Sequence, residues 1–138
     1  MPDAARHFVV TATGIWLVIL IAAMVNGLVR EKVLTPVFGE QISLPLSGIT
    51  LSLLILLVAW LLVPSAGKHS GRTFVLIGLL WVVLTLAFEY LFGHYFLGRS
   101  WAEVNEVFDL TDGNLLLLAL CTAALAPWWV ARVRGLLE

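Results

Sequence analysis

Ile15-Trp16-Leu17-Val18-Ile19-Leu20-Ile21-Ala22-Ala23-Met24-Val25 is an unbroken apolar run. It lies inside a longer stretch, residues 8–29, that contains no Asp, Glu, Lys or Arg. A helix that crosses a bilayer needs roughly 20 mostly apolar residues, and this stretch meets that length. Three more stretches do so or nearly so: residues 47–63, 73–97 and 114–131. The expected fold is therefore all-α: a bundle of four transmembrane helices forming a single domain over residues 1–138. The first span is read as a retained helix and not a secretory signal. Asp3 accompanies Arg6 before it, the apolar run is long, and no small-x-small cleavage site follows.

Composition agrees with a membrane protein. The 138 residues are 61% apolar and 12% charged, with a mean hydropathy of +1.01. Soluble domains are nearer about 45–50% apolar and about 25% charged, so a soluble globular fold and a disordered chain are excluded. Lys and Arg number 8 against 9 Asp and Glu, which leaves no basic excess to meet nucleic-acid phosphate. The single cysteine, Cys121, excludes a disulfide framework or a cysteine zinc site within one chain.

Charge sets the expected orientation. Four spans place both termini and the middle loop on one side, with Arg6, Lys68, Arg72, Arg132 and Arg134; the other side has Arg30, Lys32 and Arg99. The excess favours cytoplasmic termini. Glu31, Glu40, Glu103, Glu106, Asp109 and Asp112 all fall on the other side. Trp60 and the Trp128-Trp129 pair suit the cytoplasmic interface, and Trp101 the outer one.

The connections differ in character. Residues 64–72 read as a plain positive connector. In the first outer connection Thr35-Pro36 and Pro45 break the chain, leaving a small turn around Phe38-Gly39-Glu40. Ser47 is expected to cap the second span, and Pro127 to kink or end the fourth. In the second outer connection Ser100-Trp101-Ala102-Glu103 has the form of a capping box. Trp101, Val104, Val107 and Phe108 then recur at helical spacing, which predicts a short amphipathic helix.

Polar residues inside spans are costly and therefore informative. Glu89 is the one acid within a span. Counting along the third helix places it in the outer half of the membrane, near the depth of Asn26. Asn26 and Arg30 lie four apart and share a face, as do Tyr90 and His94. An Arg30–Glu89 pair would serve either as a structural clamp between the first and third helices or as part of a pocket open to the outside. The pocket reading takes in Asn26, Arg30, Glu89 and His94, with Tyr95, Trp101 and Asp109 near its rim. No H-x-x-x-H or H-E-x-x-H pattern occurs, so no metal or other cofactor is expected. No catalytic residue is assigned: Cys121 reads as inert packing, Ser100 as a helix cap, and Trp16 and Trp81 as bundle interior.

Val25-Asn26-Gly27-Leu28-Val29-Arg30-Glu31 and Phe88-Glu89-Tyr90-Leu91-Phe92-Gly93-His94-Tyr95, followed by Gly98-Arg99-Ser100-Trp101, resemble a group of small bacterial four-helix integral membrane proteins. The resemblance implies four spans and the bacterial inner membrane, and it supplies no reaction. In that group an acid precedes an aromatic-Asn pair in the outer loop. Here the corresponding stretch is Val107-Phe108-Asp109, with Asp112 where a base is expected.

Three readings of function follow. The first is a module that binds or transports a small solute or a lipid headgroup at the extracytoplasmic end, with Arg30 favouring an anion; four helices are few for a transporter, so a homodimer is expected. The second is an accessory subunit of a larger membrane complex. The third is a membrane enzyme acting on a lipid or quinone-like substrate through Glu89 or His94, ranked last because no nucleophile or metal motif is present.

Overall fold

The computed structural model describes residues 3–105, 108 and 115–138. Four helical runs are long and apolar enough to cross a membrane: Arg6–Phe38, Glu40–Ala66, Gly71–Phe96 and Leu116–Val133. The first comprises α1 (Asp3–Val29), a π-helical turn (Arg30–Leu34) and α2 (Thr35–Phe38). The second is α3 (Glu40–Leu62) with a 3-10 turn (Val63–Ala66). The third is α4 (Gly71–Leu91) continued by a second π-helical turn (Phe92–Phe96); α5 (Trp101–Asn105) and α6 (Leu116–Val133) complete the chain.

The first outer connection differs from its sequence reading. The chain does not loop between residues 30 and 46; it turns at Gly39 alone, whose φ of 83° is open to glycine. The two expected breakers are both absorbed. Pro36 sits in the first turn of α2, where its missing N–H removes little. The π turn immediately before it re-registers the backbone, with Thr35 N–H bonded to Arg30 O. Pro45 stays inside α3. Pro127 likewise stays inside α6, buried, and the helix runs on to Val133. Ser47 is therefore an interior residue of α3, not its cap.

The first helical run has 33 residues, about 50 Å at 1.5 Å per residue. That exceeds the roughly 30 Å of bilayer hydrocarbon. The α1–α3 hairpin thus extends past the apolar slab, carrying Glu31, Lys32, Glu40 and Gln41 exposed.

α6 packs against both α3 and α4, and α1 packs against α3. Small residues allow the close approaches. A Cβ at Gly78 of α4 would overlap the Ala124 carbonyl of α6, and one at Gly48 of α3 would overlap Leu115. Such contacts drive association where lipid offers no hydrophobic contrast. The core gathers Ile15, Trp16, Ile19, Ile55, Phe74, Ile77, Trp81 and Val130.

The end that holds the termini is tied by aromatic and backbone contacts. His69 meets Phe8 at 4.7 Å and Phe74 at 5.9 Å. Its backbone N–H donates to Leu136 O, and Glu138 N–H donates to His69 O. Arg134 lies over Trp60 and donates to the Trp60 carbonyl at 2.7 Å, while Arg132 lies over Trp128. Arginine and tryptophan gathered at one level are what a membrane interface selects.

Candidate functional site

α1 and α4 run parallel and meet through two indoles. Trp81 donates to the Ala12 carbonyl at 3.0 Å, and Trp16 donates to the Thr85 hydroxyl at 3.0 Å. An indole N–H far from water needs an acceptor, and each helix supplies the other's. Both bonds link residues 69 apart. The same register continued by one turn sets Glu89 level with Leu20, about 9 Å deeper than Asn26 along α1 at 1.5 Å per residue. Glu89 is therefore more central than counting along the third helix suggests.

A cavity of about 380 Å³ lies between α1 and α4 at the Trp16–Thr85 bond and beyond it, walled also by α3 and α6. The size lies within the roughly 300–1,000 Å³ of small-molecule sites. Its deep part is apolar, formed by Trp16, Ile19, Leu20, Trp81, Phe88 and Ala123, with Thr85. Its other lining includes Arg30, Glu31, Glu89 and Arg99. Arg99 reaches the cavity because the chain folds back after the π turn: Gly98 takes a φ of 69°, and Arg99 N–H donates to Gly93 O at 3.0 Å.

Arg30 and Glu89 share this cavity, but among the described residues they form no contact ion pair. Arg30 follows Leu20 by ten residues, or about 15 Å along α1, so the two groups reach into the space from different levels. No buried side-chain N or O atom lacks a partner among the described residues. The Glu89 carboxylate, which takes no hydrogen bond from those residues, is accordingly open to the cavity.

The other residues that the sequence singles out separate. Asn26 turns away from the cavity and accepts a hydrogen bond from the Ser47 hydroxyl of α3, both side chains buried. Arg30, four residues on and about 40° away around the helix, lines the cavity instead, while Asn26 lies on the side turned to α3. His94 stacks on Trp101 with centroids 3.7 Å apart, and its Nδ1 is bonded to Arg99 O at 2.8 Å. Tyr95 is 70% exposed and meets both rings edge-on. Tyr90 joins the cluster by donating to Asn105 Oδ1 at 2.6 Å. Asp109 lies outside the described residues.

α5 thus closes over the second π turn. The capping box forms in full: Ser100 N–H donates to Glu103 Oε1 and Glu103 N–H donates to Ser100 Oγ, both at 3.2 Å. Val104 is buried against Gly93. The two π turns, one on each helix that flanks the cavity, recur at its far end; such turns hold an unfavourable geometry and often accompany functional sites. Arg99, Thr85 and the two indoles are site residues that the sequence alone does not assign to the pocket. The signal for the bonded pair is two mid-span indoles needing acceptors, with Thr85 one turn from Trp81.

Among the described residues no three of His, Cys, Asp and Glu gather closely enough to hold a metal ion. Cys121 is exposed on the outer surface of α6, away from the cavity. No protein-family model, curated protein or solved structure matches the chain.

Proposed function

We propose that this integral membrane protein is a binding module that holds a small anionic group, a solute or a lipid headgroup, at the extracytoplasmic end of its bundle. The observation that carries the reading is the pair of arginines, Arg30 and Arg99, lining one cavity whose depth is apolar. Guanidinium groups bind oxyanions through paired N–H donors, and a partly dry cavity strengthens each such bond. Glu89 offsets one of the two positive charges, so that the space is not lined by unopposed cations. The termini are cytoplasmic by the distribution of lysine and arginine, and the membrane is the bacterial inner membrane by the resemblance of its Asn26–Glu31 and Phe88–Tyr95 stretches.

The test is protection of the purified full chain from heat by sn-glycerol 3-phosphate, with glycerol as the uncharged control. Wild type should be protected. Arg30→Gln and Arg99→Gln should each weaken the apparent affinity about tenfold, the scale of one charge-assisted hydrogen bond. A wild-type protein indifferent to the phosphate would sink the reading.

A further inference from the structure

The cavity has a neighbour. On the bundle's outer surface an apolar groove of about 580 Å³ runs along α4 and the following π turn, lined by Trp16, Leu84, Leu91, Tyr95 and Phe96 among others. Trp16, Phe88 and Phe92 line both the groove and the cavity. These three side chains are the wall between them, and Phe88 and Phe92 stack with centroids 4.9 Å apart. The wall stands in the seam between α1 and α4, the pair of helices joined by the Trp16–Thr85 bond. No charged residue lines the groove among the described residues. A water-soluble ion gains nothing from such an arrangement. An acyl chain does, because the groove faces the bilayer and leads sideways to an apolar space ending at two arginines.

Charge fits a phosphate. Arg30 and Arg99 line the cavity with Glu31 and Glu89 as their counter-charges, and Arg99 and Glu31 are the exposed pair of the four. A phosphodiester accepts from both guanidinium groups.

Resting on the anion-binding reading above, we infer that the ligand is a phosphodiester lipid of the surrounding bilayer, its phosphate on Arg30 and Arg99 and one acyl chain passed through the α1–α4 seam into the apolar cavity. Phe88 and Phe92 form the partition the chain displaces, and Trp16 is the fixed floor below it, held by Thr85.

The full chain is reconstituted in nanodiscs of equal phosphatidylglycerol and phosphatidylcholine with matched acyl chains, released into mild detergent and weighed by native mass spectrometry. Wild type should retain one phospholipid per chain, and Arg30→Gln should retain about tenfold less, the scale of one charge-assisted contact. Gly27→Leu places a side chain in the cavity from a position whose Cβ meets nothing within 4 Å, so it should fold and lose the retained lipid. Ala23→Trp, which fills the same space, should behave alike. No retained phospholipid in wild type, or retention unchanged in both cavity-filling variants, overturns the inference. Glycerol 3-phosphate protection without a retained lipid overturns the lipid and leaves the anion site standing; loss of both removes the two together.

Discussion

Trp16 of α1 and Thr85 of α4 tie two parallel helices together at the wall of the cavity that both residues line. The indole N–H donates to the threonine hydroxyl at 3.0 Å, and one turn below it Trp81 donates back to Ala12. The bond is thus both a tie and part of the site's wall. Trp16→Phe and Thr85→Val should each destabilise the solubilised protein by about 0.5–1.5 kcal/mol. Interhelical hydrogen bonds in membranes couple by about 0.6 kcal/mol on average, and a double-mutant cycle on unfolding free energies should find a coupling of that order. A coupling of zero would mean that the bond is not formed in the folded protein.

Two glycines make opposite predictions. A methyl group at Gly78 would overlap the Ala124 carbonyl, a backbone atom that cannot move without shifting α6. Gly78→Ala should therefore cost about 1–3 kcal/mol, the range for overpacking. Gly14 in α1 meets nothing within 4 Å, and Gly14→Ala should gain about 0.5–1 kcal/mol from helix propensity alone. Thermal unfolding of both variants in one detergent checks the pair. Equal effects would argue against the α4–α6 contact.

The four spans are legible because bilayer crossing imposes a length and an apolarity that local sequence states directly. The ends are less so. Pro36 and Pro45 read as breakers, yet the π turn before Pro36 and the packing of α3 against α1 and α6 keep both inside helices. Site membership depends on phase. A four-residue spacing still leaves Asn26 and Arg30 about 40° apart around α1, enough for Asn26 to bond Ser47 of α3 while Arg30 lines the cavity. Arg99 reads as a loop cation, because nothing in its neighbours states that the chain folds back at Gly98 to bring it to Glu89's cavity. The capping box at Ser100–Glu103, by contrast, is a four-residue signal complete in itself, and it is readable in full.

That box should be the hinge of the aromatic cover. Ser100→Ala removes the acceptor for Glu103 N–H, at a cost of about 1 kcal/mol. Because α5 has only five residues, the loss falls on local opening. Hydrogen exchange at the Glu103 amide should accelerate roughly fivefold, the equivalent of that free energy. Exchange at amides in the centre of α4 should not change. Acceleration spread over the whole chain would instead mean that α5 is not a separately opening unit.

The Asn26–Ser47 bond separates a structural role from a ligand role. Both side chains are buried, Asn26 at 8% exposure and Ser47 at 1%, and they bond to each other on the face of α1 turned to α3. Removing one partner strands the other, at about 1–3 kcal/mol, whereas replacing both with apolar groups can be nearly neutral. Asn26→Leu and Ser47→Ala should therefore each destabilise, and the double variant should be more stable than the sum of the two losses allows. If the bond serves packing alone, neither variant should alter protection by glycerol 3-phosphate, while Arg30→Gln, one turn away in sequence, should weaken it. Should Asn26→Leu lose that protection as fully as Arg30→Gln, Asn26 belongs to the ligand site after all, and its bond to Ser47 does not set it apart from Arg30.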